Sequence, residues 1–165
     1  MMRQQCCTVH GMAEPRWLDE RKARVWQAYR DTQRELTGAL ERQLIRDSGL
    51  SGAEYAVLVP LSAAPDGLLR ARELGSELGW DRSRLSHQIS RREKRGLVIR
   101  EECSADARGS MVRLTDTGRA AIEAAAPEHV ETVRRHFFDL LSDDEVETLG
   151  AVFDRVLRGL ANHKT

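Results

Sequence analysis

The sequence has little of what several classes of protein require. Among 165 residues there are three cysteines, four prolines and only 5% aromatic residues. Three cysteines, with Cys6 and Cys7 adjacent, cannot form a disulfide framework, which favours a reduced, cytoplasmic setting. No apolar run approaches the roughly 18 residues of a membrane-spanning helix, and no apolar core near the N-terminus marks a signal peptide. These absences exclude a disulfide-rich secreted domain and predict no membrane partner.

Catalytic and metal-binding motifs are missing as well. The chain contains no GxSxG, no P-loop and no GxGxxG after a strand, and its histidines form no HExxH or clustered ligand set. Cys6-Cys7-x-x-His10 is a short terminal pattern and a weak metal site. The acidic run 143–145 is better explained as the first turn of a helix, where negative charge offsets the helix dipole. We therefore expect no enzyme activity, no catalytic residues, no cofactor and no metal.

Charge of either sign is in balance, yet it is unevenly distributed. The chain has 26 basic and 26 acidic residues. The segment 82–95 nevertheless contains six basic residues and a single acid, Glu93, whereas 139–147 contains five acids and no base. A basic segment concentrated in a neutral chain is a candidate nucleic-acid surface.

Apolar periodicity predicts a long first helix. The stripe repeats at intervals of 7, 4, 7, 4 and 4 residues and consists of Leu18, Val25, Tyr29, Leu36, Leu40 and Leu44. Pro15 suits its start, and Ser48-Gly49 suits its end. A helix of about 30 residues is long for a monomeric domain, so part of this stripe is expected to pack against another chain.

Shorter helices and a hairpin follow. Ser51 and Glu54 form a capping-box pattern at the start of a buried helix. Gly79 stops the next helix, and Asp81 caps a further one that Gly96 ends. Segments 97–102 and 111–114 have the character of β-strands. Two short helices followed at once by a hairpin are typical of a winged helix-turn-helix.

The C-terminal part is predicted to be helical. Thr115 starts a helix in which Pro127 predicts a kink or a break. Ser142 and Glu145 form a second capping box. The residues after it repeat at intervals of 3 and 4, as in a seam between two packed helices: Val146, Leu149, Phe153, Val156 and Leu160.

The helix 82–95 carries the candidate DNA contacts. If Leu85 faces the core, Ile89 and Arg92 lie near the same side at about 100° per residue. Serines allow close approach to base edges, arginine pairs with guanine and lysine contacts phosphate. The alternative is a solvated charged face. The outward residues predicted to bind DNA are Arg82, Ser83, Arg84, Ser86, His87, Ser90, Arg91 and Lys94.

The tip of the hairpin offers a second contact. Arg108 beside a recognition helix can enter the adjacent minor groove, where the negative potential is strongest. Asp106 is expected to orient Arg108 through a charge-assisted hydrogen bond. The alternative for Asp106 is an ordinary turn residue.

The arrangement resembles the multiple-antibiotic-resistance regulator (MarR) family. The resemblance covers essentially residues 17–160 and rests on Leu85-Ser86, Ile89, Glu93, Gly96-Leu97-Val98, Arg100, Asp106-x-Arg108 and Leu114-Thr115-x-x-Gly118. It implies a homodimer joined by its terminal helices, which binds an inverted-repeat operator in double-stranded DNA and represses transcription. It also implies release by a small phenolic or other lipophilic effector.

The resemblance also implies a layout for the chain. We expect a mainly α fold with a flexible tail over 1–16 and a single winged helix-turn-helix domain over 17–162. Segments 17–47 and 116–162 would be dimerisation helices, and 51–115 the DNA-binding lobe. The family's ligand pocket lies between these parts, so the candidate lining residues are Trp26, Tyr29 and Tyr55, although aromatics on helical stripes are more often core.

Arg92 departs from the pattern, which usually has Leu or Met at this position. Its guanidinium must reach solvent or find an acid other than Glu93, so Arg92 is expected to be partly buried and not a principal base contact. Other questions stay open: whether translation starts at Met1 or Met12, and whether Cys103 is incidental or redox-sensitive. The rival function is a winged-helix module that binds protein rather than DNA.

Overall fold

A computed structural model describes residues 15–102 and 110–162. The predictions for Cys6, Cys7, Cys103, Asp106 and Arg108 therefore lie outside the described residues. The chain divides into two compact units, one up to Glu35 and the other from Leu36 onward. In chain order the helices and strands are α1 Glu20–Ser48, α2 Gly52–Ala63, β1 Leu68–Arg70, α3 Ala71–Leu78, α4 Arg82–Lys94, β2 Val98–Glu102, β3 Ser110–Leu114, α5 Asp116–His136 and α6 Asp143–Asn162.

The first helix is as long as the apolar stripe predicts. Helix α1 has 29 residues, and the Asp19 carboxylate accepts a hydrogen bond from the Lys22 amide at 2.8 Å just before its first turn. In the first unit the stripe is open to solvent, with Val25 66% exposed. Trp26 and Tyr29 stack on each other there, with ring centroids 5.5 Å apart. The first unit therefore presents an apolar surface.

The second unit contains the core beneath α2, α3 and α4. Both predicted caps are confirmed: Ser51 and Glu54 form a complete capping box on α2, and the Asp81 carboxylate accepts from the Arg84 amide at 2.9 Å. Gly79 ends α3 in the left-handed conformation, with φ of 62°. The buried apolar residues are Leu44, Leu50, Val57, Leu58, Leu61, Leu74, Leu85, Ile89, Leu97, Val98, Val112, Leu114, Ile122 and Ala125.

The wing is a three-stranded antiparallel sheet rather than a hairpin alone. Strand β3 lies in the middle, with β2 and β1 on either side. Strand β1 was not predicted, because three residues are too few to show an alternating pattern. It forms by pairing with β3, where Leu69 lies opposite Val112. The extra strand attaches the wing to the segment that precedes α3.

A compact joint links the end of α4 to the start of α5. The Thr115 hydroxyl donates to the Gly96 carbonyl at 2.6 Å, and the Thr115 amide donates to the Leu97 carbonyl at 3.2 Å. The same hydroxyl accepts from the Gly118 amide at 3.0 Å. A Cβ atom on Gly118 would collide with the Leu97 carbonyl oxygen, so glycine alone fits this first turn of α5.

Helix α5 passes through Pro127 without a break. Of the predicted kink or break, the break is absent, since one helix runs from Asp116 to His136. Proline removes only one backbone hydrogen bond, and buried side chains on both sides of it hold the helix in place. These are Ile122 and Ala125 before the proline and Thr132 after it.

Helix α6 is almost uncovered. Its predicted capping box is present, with the Ser142 amide and hydroxyl both donating to Glu145 Oε2 at 2.9 Å. None of its residues is buried, and Leu157 and Leu160 are 62% and 58% exposed. Among the described helices, none has the length and apolar character that crossing a bilayer would require.

Candidate nucleic-acid interface

Helix α4 has one face in the core and the other in solvent. Leu85 and Ile89 are 5% and 1% exposed, respectively, and they fix the rotation of the helix about its axis. Seven of the eight outward residues predicted from periodicity are exposed, and Ser90 is half-buried. The surface they form, called the recognition face below, consists of Arg82, Ser83, Arg84, Ser86, His87, Ser90, Arg91 and Lys94.

The N-terminal end of the recognition face is held by an aromatic ring. The guanidinium carbon of Arg84 lies 4.6 Å from the centre of the Trp80 ring, a cation–π distance. Trp80 itself packs against the core cluster. Arg84 is therefore positioned before any partner arrives, which lowers the entropy lost on binding.

Arg100 also belongs to the candidate interface, although the sequence indicated it only as one residue of the family pattern. From β2 its Nη2 donates to the Ser86 carbonyl at 2.8 Å and to the Ser90 hydroxyl at 3.1 Å. Its Nη1 donates to Glu93 at 2.6 Å. One strand side chain thus ties three residues of α4 to the wing. The only signal in the sequence is an arginine seven residues after an acid, which is too common to be informative.

A second anchor joins the end of α4 to the start of α2. Arg95 Nη1 donates to Glu54 Oε1 at 2.6 Å, while Glu54 Oε2 accepts from the Ser51 amide at 2.9 Å. Glu54 is only 8% exposed. Burial raises the pKa of Glu54, but the hydrogen bonds from Ser51 and Arg95 outweigh burial and bring the pKa below its ordinary value. The carboxylate is therefore stabilised in its charged form.

Arg92 is more deeply buried than the sequence predicted. It is 1% exposed, and its Nη1 donates to both oxygens of Gln88, the backbone carbonyl and, at 2.7 Å, the side-chain amide oxygen. Its Nε has no hydrogen-bond partner within the described part of the chain. The expected route to solvent is absent, and Gln88 replaces the acid that was expected. As predicted, Arg92 is not on the recognition face.

The wing is held together by its own ion pair. Arg113 on β3 donates to Glu101 on β2 at 2.5 Å and 2.9 Å through two nitrogens, and also to the Asp66 carbonyl at 3.2 Å. The bidentate geometry fixes the two strands relative to each other. The loop that joins these strands, with Asp106 and Arg108, lies outside the described residues.

The candidate ligand-binding aromatics fall in both units. Trp26 and Tyr29 form the stacked pair of the first unit. In the second unit Tyr55 packs on the His129 ring at 4.3 Å, and His129 Nδ1 lies 3.2 Å from Gln43 Oε1. Burial raises the pKa of Tyr55 and lowers the pKa of His129, so both rings are neutral at physiological pH.

The fold and the recognition face define a winged helix-turn-helix DNA-binding protein. Residues 48–109 match the model of the MarR family. Sco3205, a MarR family regulator of Streptomyces coelicolor solved in complex with DNA, is 41% identical with a TM-score of 0.85, covering 89% of this chain and 92% of its own. AbsC of the same organism, also a MarR family regulator, is 36% identical with a TM-score of 0.86, covering 90% of this chain and 99% of its own.

A curated relative agrees with these structures. The transcriptional regulator PecS of Dickeya dadantii is 30% identical over 117 residues, which are 70% of this chain and 69% of PecS. Together with the two structures, this relative shows the family of the protein. The chain belongs to the MarR family of transcriptional regulators.

Proposed function

We propose that the protein is a cytoplasmic, homodimeric repressor that binds an inverted-repeat operator and occludes a promoter. Two copies of α4 enter successive major grooves, about 34–36 Å apart along the DNA. The residues of the recognition face contact bases and phosphates, and Arg108 of each wing enters a minor groove. Asp106 orients Arg108.

The observation that carries the proposal is the composition of the recognition face. It has hydroxyl groups, an imidazole and long cations but no carboxylate, whereas the acid of this helix, Glu93, is turned to Arg100. Hydroxyl and guanidinium groups match base edges and phosphates. A relative, Sco3205, has been solved with DNA bound, which supports the same use of this surface here.

The dimer is supported by the apolar surface that α6 leaves open. Phe153, Val156, Leu157 and Leu160 are 44–62% exposed on one helix. A contiguous apolar face of this kind marks an interaction site, and a second copy of the chain supplies a matching face through two-fold symmetry. The exposed stripe of α1 in the first unit adds to the apolar area available.

Release of the operator is assigned to a small lipophilic or phenolic effector. Its candidate contacts are Trp26, Tyr29 and Tyr55, of which Trp26 and Tyr29 are 54% and 46% exposed. Aromatic rings with a phenolic hydroxyl suit a ligand that is apolar with one polar group.

Selection of bound sequences from a random DNA pool tests the proposal directly. At about physiological salt we expect a palindromic motif whose half-sites lie one helical turn apart. Weak binding without any motif, abolished by modest salt, would show that the basic helix is only an electrostatic surface. In that case a winged-helix module that binds protein would become the better reading.

A further inference from the structure

A cleft separates the start of α2 from the last turn of α4. Its volume is about 650 Å³, and all of its lining residues except Ala53 carry polar or charged side chains. Four cations line it, Arg91, Arg92, Lys94 and Arg95, against a single carboxylate, Glu54. The cleft lies beside the recognition face, with which it shares Arg91 and Lys94.

Both oxygens of the Glu54 carboxylate already accept hydrogen bonds. One oxygen of Glu54 accepts from Arg95 at 2.6 Å, and the other accepts from the amide and hydroxyl of Ser51, each at 2.9 Å. Within the described residues, Arg91 and Lys94 make no ion pair. The positive charge of the cleft is thus only partly balanced.

Arg92 adds a buried charge that forms no ion pair among the described residues, although it is attracted to the more distant Glu54 carboxylate. Only 1% of its surface is exposed, and its polar contacts are with Gln88, which is neutral. Its Nε has no hydrogen-bond partner among the described residues. Burying a charged group without a direct ion pair is unfavourable. An anion seated in the cleft would offset that cost.

We propose that this cleft binds a phosphate group. A phosphate dianion has several strong acceptor oxygens, so more than one cation of this cleft can bind it at once. Guanidinium groups pair with phosphate through two hydrogen bonds. The phosphate has two candidate sources, a free phosphate or phosphorylated metabolite, and a backbone phosphate of DNA bound by α4. The second source rests on the proposed function, whereas the first does not.

Inorganic phosphate added to the full-length protein without DNA tests the free source. At tenfold excess over its dissociation constant, phosphate is expected to raise the Tm by about 3–6 °C relative to chloride at equal ionic strength. Arg92→Met should abolish this rise, and Lys94→Met should reduce it. Arg46→Met, which removes an exposed arginine of α1 outside the cleft, should leave the rise unchanged.

Single methylphosphonate substitutions along a selected DNA site test the other source. If a backbone phosphate occupies the cleft, one neutralised phosphate per half-site should weaken binding roughly tenfold in the wild-type protein. The same substitution should have no effect in Arg92→Met. If Arg92→Met fails to fold, Arg92→Lys, which keeps the charge but loses the bidentate guanidinium, and Lys94→Met replace it, and both are then expected to reduce the effects rather than abolish them.

The outcomes separate the two sources from each other and from failure. If the Tm rise is lost in Arg92→Met, and no methylphosphonate effect depends on Arg92, the cleft binds free phosphate. An Arg92-dependent methylphosphonate effect assigns it to DNA. A Tm rise equal in Arg92→Met and wild type, together with no coupled methylphosphonate position, overturns the proposal. Failure to select any DNA motif would instead remove the proposed function and leave the phosphate titration standing.

Discussion

Arg100 connects the recognition face to the wing through three residues of α4. Its guanidinium contacts Ser86, Ser90 and Glu93, so both serines are held by a strand of the wing. If Ser86 and Ser90 face bases as predicted, Arg100 acts on DNA recognition as a positioning residue that does not touch DNA. Its loss should then change selectivity as well as stability.

We expect Arg100→Met to lower the free energy of unfolding by about 1–3 kcal/mol, the range for losing hydrogen bonds to a charged group. It should also reduce the ratio of affinities for cognate and random DNA, measured by titration at fixed salt. Arg113→Met is the matched control, because it breaks an ion pair of the same sheet that does not touch α4. Equal loss of selectivity in both variants would contradict a positioning role for Arg100.

Arg84 and Lys94 are expected to contribute to DNA binding in different ways. Arg84→Ala should relax base preference at one position of the site by about 1–3 kcal/mol, because a guanidinium held over Trp80 can pair with guanine. Lys94→Ala should weaken binding to all sequences alike and flatten its salt dependence. Competition with single-base variants across a salt series separates the two effects. Equal losses on cognate and random DNA for both variants would reject this division.

At this scale periodicity predicted the faces of α4 but not the contacts of its polar residues. The 3.6-residue repeat is enough to turn Leu85 and Ile89 inward. The hydrogen bond of Arg100 to Ser86 depends on how β2 packs against α4, and residue spacing contains no such information. The contact of Arg92 with Gln88 is local, since the two lie four residues apart on one helix. The predicted contacts of Asp106 and Arg108 lie outside the described residues and stay predictions.

At the scale of the element, the capping box of α2 makes a pH-dependent contribution to the free energy of unfolding. The pKa of Glu54 is lowered in the fold, so its stabilisation is present above the ordinary pKa of about 4.3 and is lost as the pH falls through the lowered value. Glu54→Gln should therefore cost about 1–3 kcal/mol of unfolding free energy at pH 7. Denaturant titrations should show wild type and variant converging as the pH falls through the lowered pKa of Glu54.

The second capping box is the control for this effect. Glu145 also accepts from a serine amide and hydroxyl but is exposed and has no arginine partner in the described residues. Glu145→Gln should cost only about 0.5–1 kcal/mol at pH 7, the range of an ordinary cap. A cost for Glu145→Gln as large as that for Glu54→Gln would show that Arg95 contributes nothing.

Whole elements were predictable where a cap or a long repeat marks them. The caps at Ser51, Asp81 and Ser142 are local, since each is set by residues three positions apart. Strand β1 exists only because β3 pairs with it, and α5 continues through Pro127 because packing holds both halves. Both outcomes depend on tertiary contacts that override local preference.

At the scale of the molecule, the apolar face of α6 predicts the effect of one charge. Leu157→Glu should shift the protein from dimer to monomer in sedimentation experiments, because a buried, unpaired carboxylate is costly at an interface. Operator affinity should fall with it, since two half-sites are no longer bound together. Arg155→Glu places the same charge on the opposite side of α6, about 180° away from Val146, and should remain dimeric.

Two results would tell against this surface as the interface. A Leu157→Glu protein that remains dimeric would place the contact elsewhere, and an Arg155→Glu protein that dissociates would show a general charge effect. The dimer itself was expected from the length of α1 and the seam of α6, but which exposed residues pair across it could not be predicted, because pairing depends on the geometry of two chains.

The joint at Thr115 has a consequence for how a signal would travel through the molecule. Thr115 is bonded to Gly96 and Leu97 on one side and to Gly118 of α5 on the other, and Leu97 donates in turn to the Arg92 carbonyl of α4. These hydrogen bonds connect the C-terminal end of α4 to the first turn of α5. In the proposed dimer, we expect a displacement of α5 to be transmitted through these hydrogen bonds to the C-terminal end of α4 and to change the spacing of the two recognition helices.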